Sequence, residues 1–136
     1  MGSYEELDRE LRLLVKVMQE QGVLDEQFGI VQAIREINDP LFVVDLIPMF
    51  CKDAEAGILD MTKLLNQSVV NYHDLKEFCI KLKGSASMIG APLLMNACTD
   101  LCGAIDHMSK ERCMTTLTRI KHEYNFLKGN LKGILR

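Results

Sequence analysis

The chain has 136 residues, 48% of them apolar and 26% charged, a globular composition long enough for one domain (1–136) with a continuous core. Its net charge of −3 argues against a general nucleic-acid binder, and no apolar run approaches the roughly 20 residues of a membrane helix. Cys51, Cys79, Cys98, Cys102 and Cys113 are odd in number, no basic-then-apolar leader precedes them, and Glu6 stands where a myristoylation motif wants Ser or Thr. Reduced thiols in a soluble intracellular protein are therefore expected.

The pattern predicts helices throughout. Tyr4 to Gln21 carries Leu7, Leu11, Leu14, Val15 and Met18 on one stripe, and Gly22 ends it. Asp25 can cap a short second helix with Phe28, Val31, Ile34 and Ile37. Asn38-Asp39-Pro40 breaks the chain and restarts it. A long third helix runs to about Asn66 through Phe42, Leu46, Met49, Phe50, Ile58, Met61 and Leu65, with Pro48 a candidate bend. After a linker, Gln67 to Asn71, the fourth helix starts near Tyr72 to Leu75 and runs to about Ile89. Gly90-Ala91-Pro92 is a tight corner, and the fifth helix follows to about His107. Ser109 can cap the sixth, with Leu117, Ile120, Tyr124, Leu127 and Leu131 inward. The basic residues near the end, among them Lys128, Lys132 and Arg136, suit the dipole of a last helix. The expected fold is all-α: an antiparallel four-helix bundle with two additional N-terminal helices.

At about 100° per residue, Leu75, Phe78, Cys79, Leu82, Ala86 and Ile89 form the inward stripe of the fourth helix. Lys76, Ile80, Lys83, Gly84 and Ser87 fall on a different arc, so Ile80 is expected to face solvent, among Lys, Gly and Ser. A mid-helix glycine costs about 0.5–1 kcal/mol against alanine and wants a reason. Close approach of a partner is one, internal packing another.

The stretch Ile80-Lys81-Leu82-Lys83-Gly84-Ser85-Ala86-Ser87-Met88-Ile89-Gly90-Ala91 resembles the signature of the plant histidine-containing phosphotransfer proteins, roughly His-Gln-x-Lys-Gly-Ser-Ser-x-Ser-x-Gly-Ala. The resemblance extends to Val23-Leu24-Asp25-Glu26-Gln27-Phe28, Asn38-Asp39-Pro40-Leu41-Phe42-Val43, Asn96-Ala97-Cys98 and Glu123-Tyr124, nearly the whole chain. In that family the leading histidine carries a phosphoryl group between a receptor kinase and a response regulator. Ile80 stands in its place, with Lys81 for the glutamine and Ala86 and Met88 for serines. Lys81, Lys83, Gly84, Ser85, Ser87 and Gly90 are then the remnant of a phosphotransfer site with no catalytic residue.

The resemblance implies a pseudo-phosphotransfer protein of cytokinin-type relays, cytoplasmic and nuclear. It would not be an enzyme, and would be monomeric, without metal or cofactor. It would bind receiver domains and hybrid sensor kinases through Leu24, Gln27, Phe28, Val31, Ile80, Lys83 and Gly84, and damp the relay. Two alternatives stand beside this. His73, two turns before Ile80 on nearly the same arc, could carry phosphate instead. Or the chain is a helical scaffold unrelated to phosphorelay. His107 reads as solvated or capping, and His122 as exposed. Cys98 and Cys102, four apart on one helical face, could suggest a metal pair, but no histidine sits at ligand spacing and buried thiols fit better.

Overall fold

The computed structural model describes residue 13, residues 16–22, 24–25 and 42–134, with backbone alone at 42–45 and 133–134. Four long helices dominate it: α1 (Phe42–Leu65), α2 (Tyr72–Ile89), α3 (Pro92–Asp106) and α4 (Lys110–Ile134). They are the expected third to sixth helices. Each packs on the next, and α1 closes on α4, so the four enclose one core in a square antiparallel bundle. Residues 16–20 are helical and end in a turn at Gln21–Gly22, as the glycine signal predicts. The expected second helix and the Asn38-Asp39-Pro40 restart lie outside the described residues. No described helix is long and apolar enough to cross a membrane.

The core is drawn from residues three and four apart. Helix α1 buries Ile47, Phe50, Ala54, Ile58, Met61 and Leu65; α2 buries Leu75, Cys79, Leu82, Ala86 and Ile89. Helix α3 gives Leu94, Ala97, Cys98, Leu101, Ala104 and Ile105, and α4 gives Cys113, Leu117, Ile120, Tyr124, Leu127 and Leu131. Met49, expected in the α1 stripe, is exposed instead, because the inward arc runs through Ile47, Phe50 and Ala54 and turns its side chain outward. Pro48 stands inside α1, which continues past it.

The helix ends have identifiable causes. Asn71 Oδ1 accepts from the Asp74 N–H (3.1 Å) and caps α2, a cap hidden in what reads as linker. Ser109 Oγ accepts from the Arg112 N–H (3.3 Å) at the start of α4, as expected. At the far end of α2, Gly90 adopts φ 79°, the left-handed region that favours glycine. Its N–H donates to the Ser87 carbonyl (3.1 Å) and the Ala91 N–H to the Ala86 carbonyl (2.8 Å), the paired bonds of a Schellman stop. Pro92 then opens α3 at a position where a missing N–H costs nothing.

The N-terminal turn is strapped to this corner. The Asp25 N–H donates to the Gly90 carbonyl (2.7 Å), the Leu24 N–H to the Met18 carbonyl (3.2 Å), and Gln19 Nε2 to the Asp25 carbonyl (2.9 Å). At the opposite end, Tyr72 Oη donates to the Met108 carbonyl (3.0 Å) and Lys110 Nζ to the Gln67 carbonyl (3.1 Å), tying the α1–α2 and α3–α4 links together.

Candidate functional site

The outer face of α2 is a continuous strip. Ile80 is 53% exposed, whereas Leu75 and Cys79 are fully buried, so the helical phase read from the sequence holds. Along its arc stand His73 and Glu77 toward the N-terminus, and Gly84 and Ser87, both exposed, toward the C-terminus. Met88 extends the apolar surface at 63% exposure.

The two flanks differ. On the α3 side, Lys76 Nζ donates to Asp106 Oδ1 (2.6 Å), and its ammonium is held above the ordinary lysine value by that carboxylate. Lys83 shares this flank, and its charge acts on the Cys79 and Cys102 thiols. It makes no ion pair or hydrogen bond with the described residues. On the α1 side, Lys81 and Ser85 line a cleft of about 320 Å³ with Asp53, Asp60 and Phe78. The site remnant is therefore split. Lys83 and Gly84 stand one turn from Ile80 and Ser87 two turns on, Lys81 and Ser85 belong to the cleft, and Gly90 is buried and shapes the end of the helix.

Gly84 carries the most information on this strip. A Cβ built there meets nothing within 4 Å outside the helix itself. Packing within the chain does not require the glycine, although it weakens the helix by about 0.5–1 kcal/mol. Internal packing therefore does not account for the glycine.

Leu24 corrects the expected docking face. It is 1% exposed and belongs to the core. The bonds from Leu24 to Met18 and from Asp25 to Gly90 pull this stretch down onto the bundle, so its side chain packs inward. Gln27, Phe28 and Val31, the other expected second-helix contacts, lie outside the described residues.

The histidines divide cleanly. His73 is open to solvent, its side chain 82% exposed, and its Nε2 lies 3.2 Å from Glu77 Oε1. A carboxylate at that distance repels an incoming phosphoryl anion. His73, Asp74 and Glu77 form the only cluster with metal-ligand spacing among the described residues, and it is a surface cluster of the common acidic kind. His107 ends α3, its Nδ1 2.8 Å from the Gly103 carbonyl oxygen, and His122 is exposed, both as expected. Cys98 is buried, as expected. Cys102 is only partly buried and faces Cys79 rather than pairing with Cys98. Spacing along one helix had no means of showing that contact, whose partners are 23 residues apart on different helices.

The chain aligns over 116 residues, 85% of its length, with Histidine-containing phosphotransfer protein 1 of Arabidopsis thaliana, at 30% identity and 75% coverage of that protein. It is equally 30% identical to Pseudo histidine-containing phosphotransfer protein 6 of Arabidopsis thaliana, covering 96% of this chain and 85% of that one. In structure it matches a rice histidine-containing phosphotransfer protein solved by X-ray diffraction, with a TM-score of 0.89, 28% identity, and 98% and 94% of the two chains covered. No general family model matches the chain. It belongs to the plant histidine-containing phosphotransfer proteins, with both ordinary and pseudo forms among its relatives.

Proposed function

We propose that this chain is a pseudo-phosphotransfer protein, which docks on the receiver domains and hybrid sensor kinases of a phosphorelay, accepts no phosphate, and so damps the relay by occupying its partners. The observation that carries the reading is Ile80, an apolar side chain held out to solvent at the phosphoacceptor position, with Lys83 and Gly84 kept one turn away. Phosphoryl transfer from an aspartyl phosphate needs a nitrogen lone pair to attack phosphorus as the P–O bond breaks. An isoleucine side chain has only C–H bonds and offers none. Docking has no such requirement. It needs a central apolar patch with a polar rim, and a few central residues supply most of the energy. Ile80 adds apolar area at that centre, Lys83 supplies charge at the rim, and Gly84 lets a partner's backbone come close.

The reading extends to a cytoplasmic and nuclear location, where such relays run, and to a monomer that binds one partner at a time. His73 is the weaker candidate for a carrier because the Glu77 carboxylate, 3.2 Å from its Nε2, repels an incoming phosphoryl anion.

Incubation with a ³²P-labelled receiver domain, followed by parallel measurement of label and of complex formation, tests the proposal. The expected result is a complex without label, weakened by about 1–3 kcal/mol in Ile80→Asp. Acid-labile label on the wild-type chain that disappears in His73→Ala would replace this reading with that of an active carrier. Absence of any complex with cognate receivers would remove the damping mechanism.

A further inference from the structure

Cys79 on α2 and Cys102 on α3 bring their sulfur atoms within 3.2 Å of each other. The Cys79 thiol donates to the Cys98 carbonyl (3.1 Å), which leaves the Cys102 hydrogen free to point at the Cys79 sulfur. The two differ in access: Cys79 is fully buried, whereas Cys102 is partly exposed at the rim of the helix pair. The Cys98 carbonyl and burial push the Cys79 thiol far up; burial and the neighbouring sulfur push Cys102 to about 11, with Lys83 and Lys76 pulling the other way. Cys102 is therefore both the more reachable and the more readily ionised of the two. Nothing in the phosphotransfer reading uses either thiol.

We propose that Cys79 and Cys102 are a reversible dithiol–disulfide pair, oxidised by peroxide, that staples α2 to α3 directly beneath the Ile80 face. The Cys102 thiolate attacks one peroxide oxygen; an S–O bond forms, the O–O bond breaks, and the departing hydroxide takes up the thiol's proton as water. The Cys79 sulfur then attacks the Cys102 sulfenic sulfur. The S–S bond forms, the S–O bond breaks, and the second hydroxide leaves as water with the Cys79 proton. Two thiols are oxidised and one peroxide is reduced to two waters. The neighbour at 3.2 Å favours this closure over further oxidation of Cys102. A dithiol reductant restores both thiols by exchange. The inference stands whether or not the Ile80 face binds receivers.

The test uses the full folded chain treated with hydrogen peroxide, alkylated under denaturing conditions and mapped by mass spectrometry. The expected product is a linked Cys79–Cys102 peptide pair, with Cys51, Cys98 and Cys113 alkylated. Dithiothreitol abolishes the link, Cys102→Ser prevents it, and Cys98→Ser keeps it. The exposed Met88 and Met108 report in the same digest that oxidant reached the protein. If those methionines become sulfoxides while Cys79 and Cys102 both remain alkylatable, the proposal is overturned. It is equally overturned if Cys102 proceeds to sulfinic acid beside a free Cys79, or if Cys102 links to a different cysteine.

Discussion

Gly84 and Ile80 divide the problem at the level of single side chains. Because a Cβ at Gly84 meets nothing within 4 Å, Gly84→Ala should stabilise the isolated chain by about 0.5–1 kcal/mol through helix propensity alone. The same methyl should weaken receiver binding by on the order of tenfold, about 1.4 kcal/mol, if a partner backbone passes over this point. Gly129→Ala, on the exposed side of α4, is the control: it should stabilise similarly and leave binding unchanged. Denaturant unfolding and calorimetric titration read the two effects separately. A Gly84→Ala variant that is stabilised and binds with unaltered affinity would move the docking surface away from Ile80. At Ile80 itself, histidine should be tolerated within about 0.5 kcal/mol, since the side chain is half exposed. An exposed imidazole there keeps a pKa near ~6.5 and is largely neutral and nucleophilic at pH 7.

The helices were legible because their signals are local. Apolar residues at spacings of three and four marked the inward faces of α2 and α4 and, Met49 apart, most of that of α1, and the outward phase of Ile80 followed from the same arithmetic. Gly90 and Pro92 marked the α2–α3 corner by backbone chemistry that only those residue types supply. What stayed hidden depends on contacts between distant segments. Leu24 looked like a surface residue because the resemblance placed it in a docking stretch; a backbone bond from Asp25 to Gly90, 65 residues on, buries it. The Cys79–Cys102 contact and the cleft joining Asp53 and Asp60 to Lys81 likewise need two helices at once.

Two predictions belong to the elements themselves. Gly90→Ala forces a Cβ into a left-handed backbone and should cost about 1–2 kcal/mol of stability, loosening the Asp25 strap as well. Amide exchange at Asp25 should quicken in step; unchanged exchange would mean the corner does not hold the N-terminal turn. Between α1 and α4, Glu55 accepts from Tyr124 Oη (2.5 Å) and Lys128 Nζ (3.1 Å), which hold its carboxyl below the ordinary carboxylate value. A folded-state pKa lower than the unfolded one stabilises the fold above the unfolded value and loses that contribution as pH falls through the folded value. Wild-type stability should therefore fall more steeply than that of Glu55→Gln across roughly pH 5 to 3. Parallel slopes would show that this triad contributes nothing measurable.

At the scale of the whole molecule, the bundle keeps the phosphotransfer-protein fold, with Ile80, which has no side-chain nitrogen, exposed on α2. The 0.89 TM-score to a rice phosphotransfer protein shows a scaffold conserved in shape at 28% identity. The departures at Ile80, Lys81, Ala86 and Met88 are not equivalent within it. Ala86 is fully buried and changes the interior of α2, Met88 adds apolar surface, and Lys81 turns toward the α1 cleft. Only Ile80 removes a reacting group. On the proposed reading, one side chain separates this chain from a working carrier.

The most direct measurement is transfer of ³²P from a phosphorylated receiver to the Ile80→His chain, with wild type and Ile80→His/Lys83→Ala alongside, and binding measured for all three. Acid-labile label is expected on Ile80→His, none on wild type, and less on the double variant, whose phosphate lacks the Lys83 charge one turn away. An Ile80→His chain that binds the receiver as well as wild type yet gains no label would contradict the claim that the rest of the site is intact.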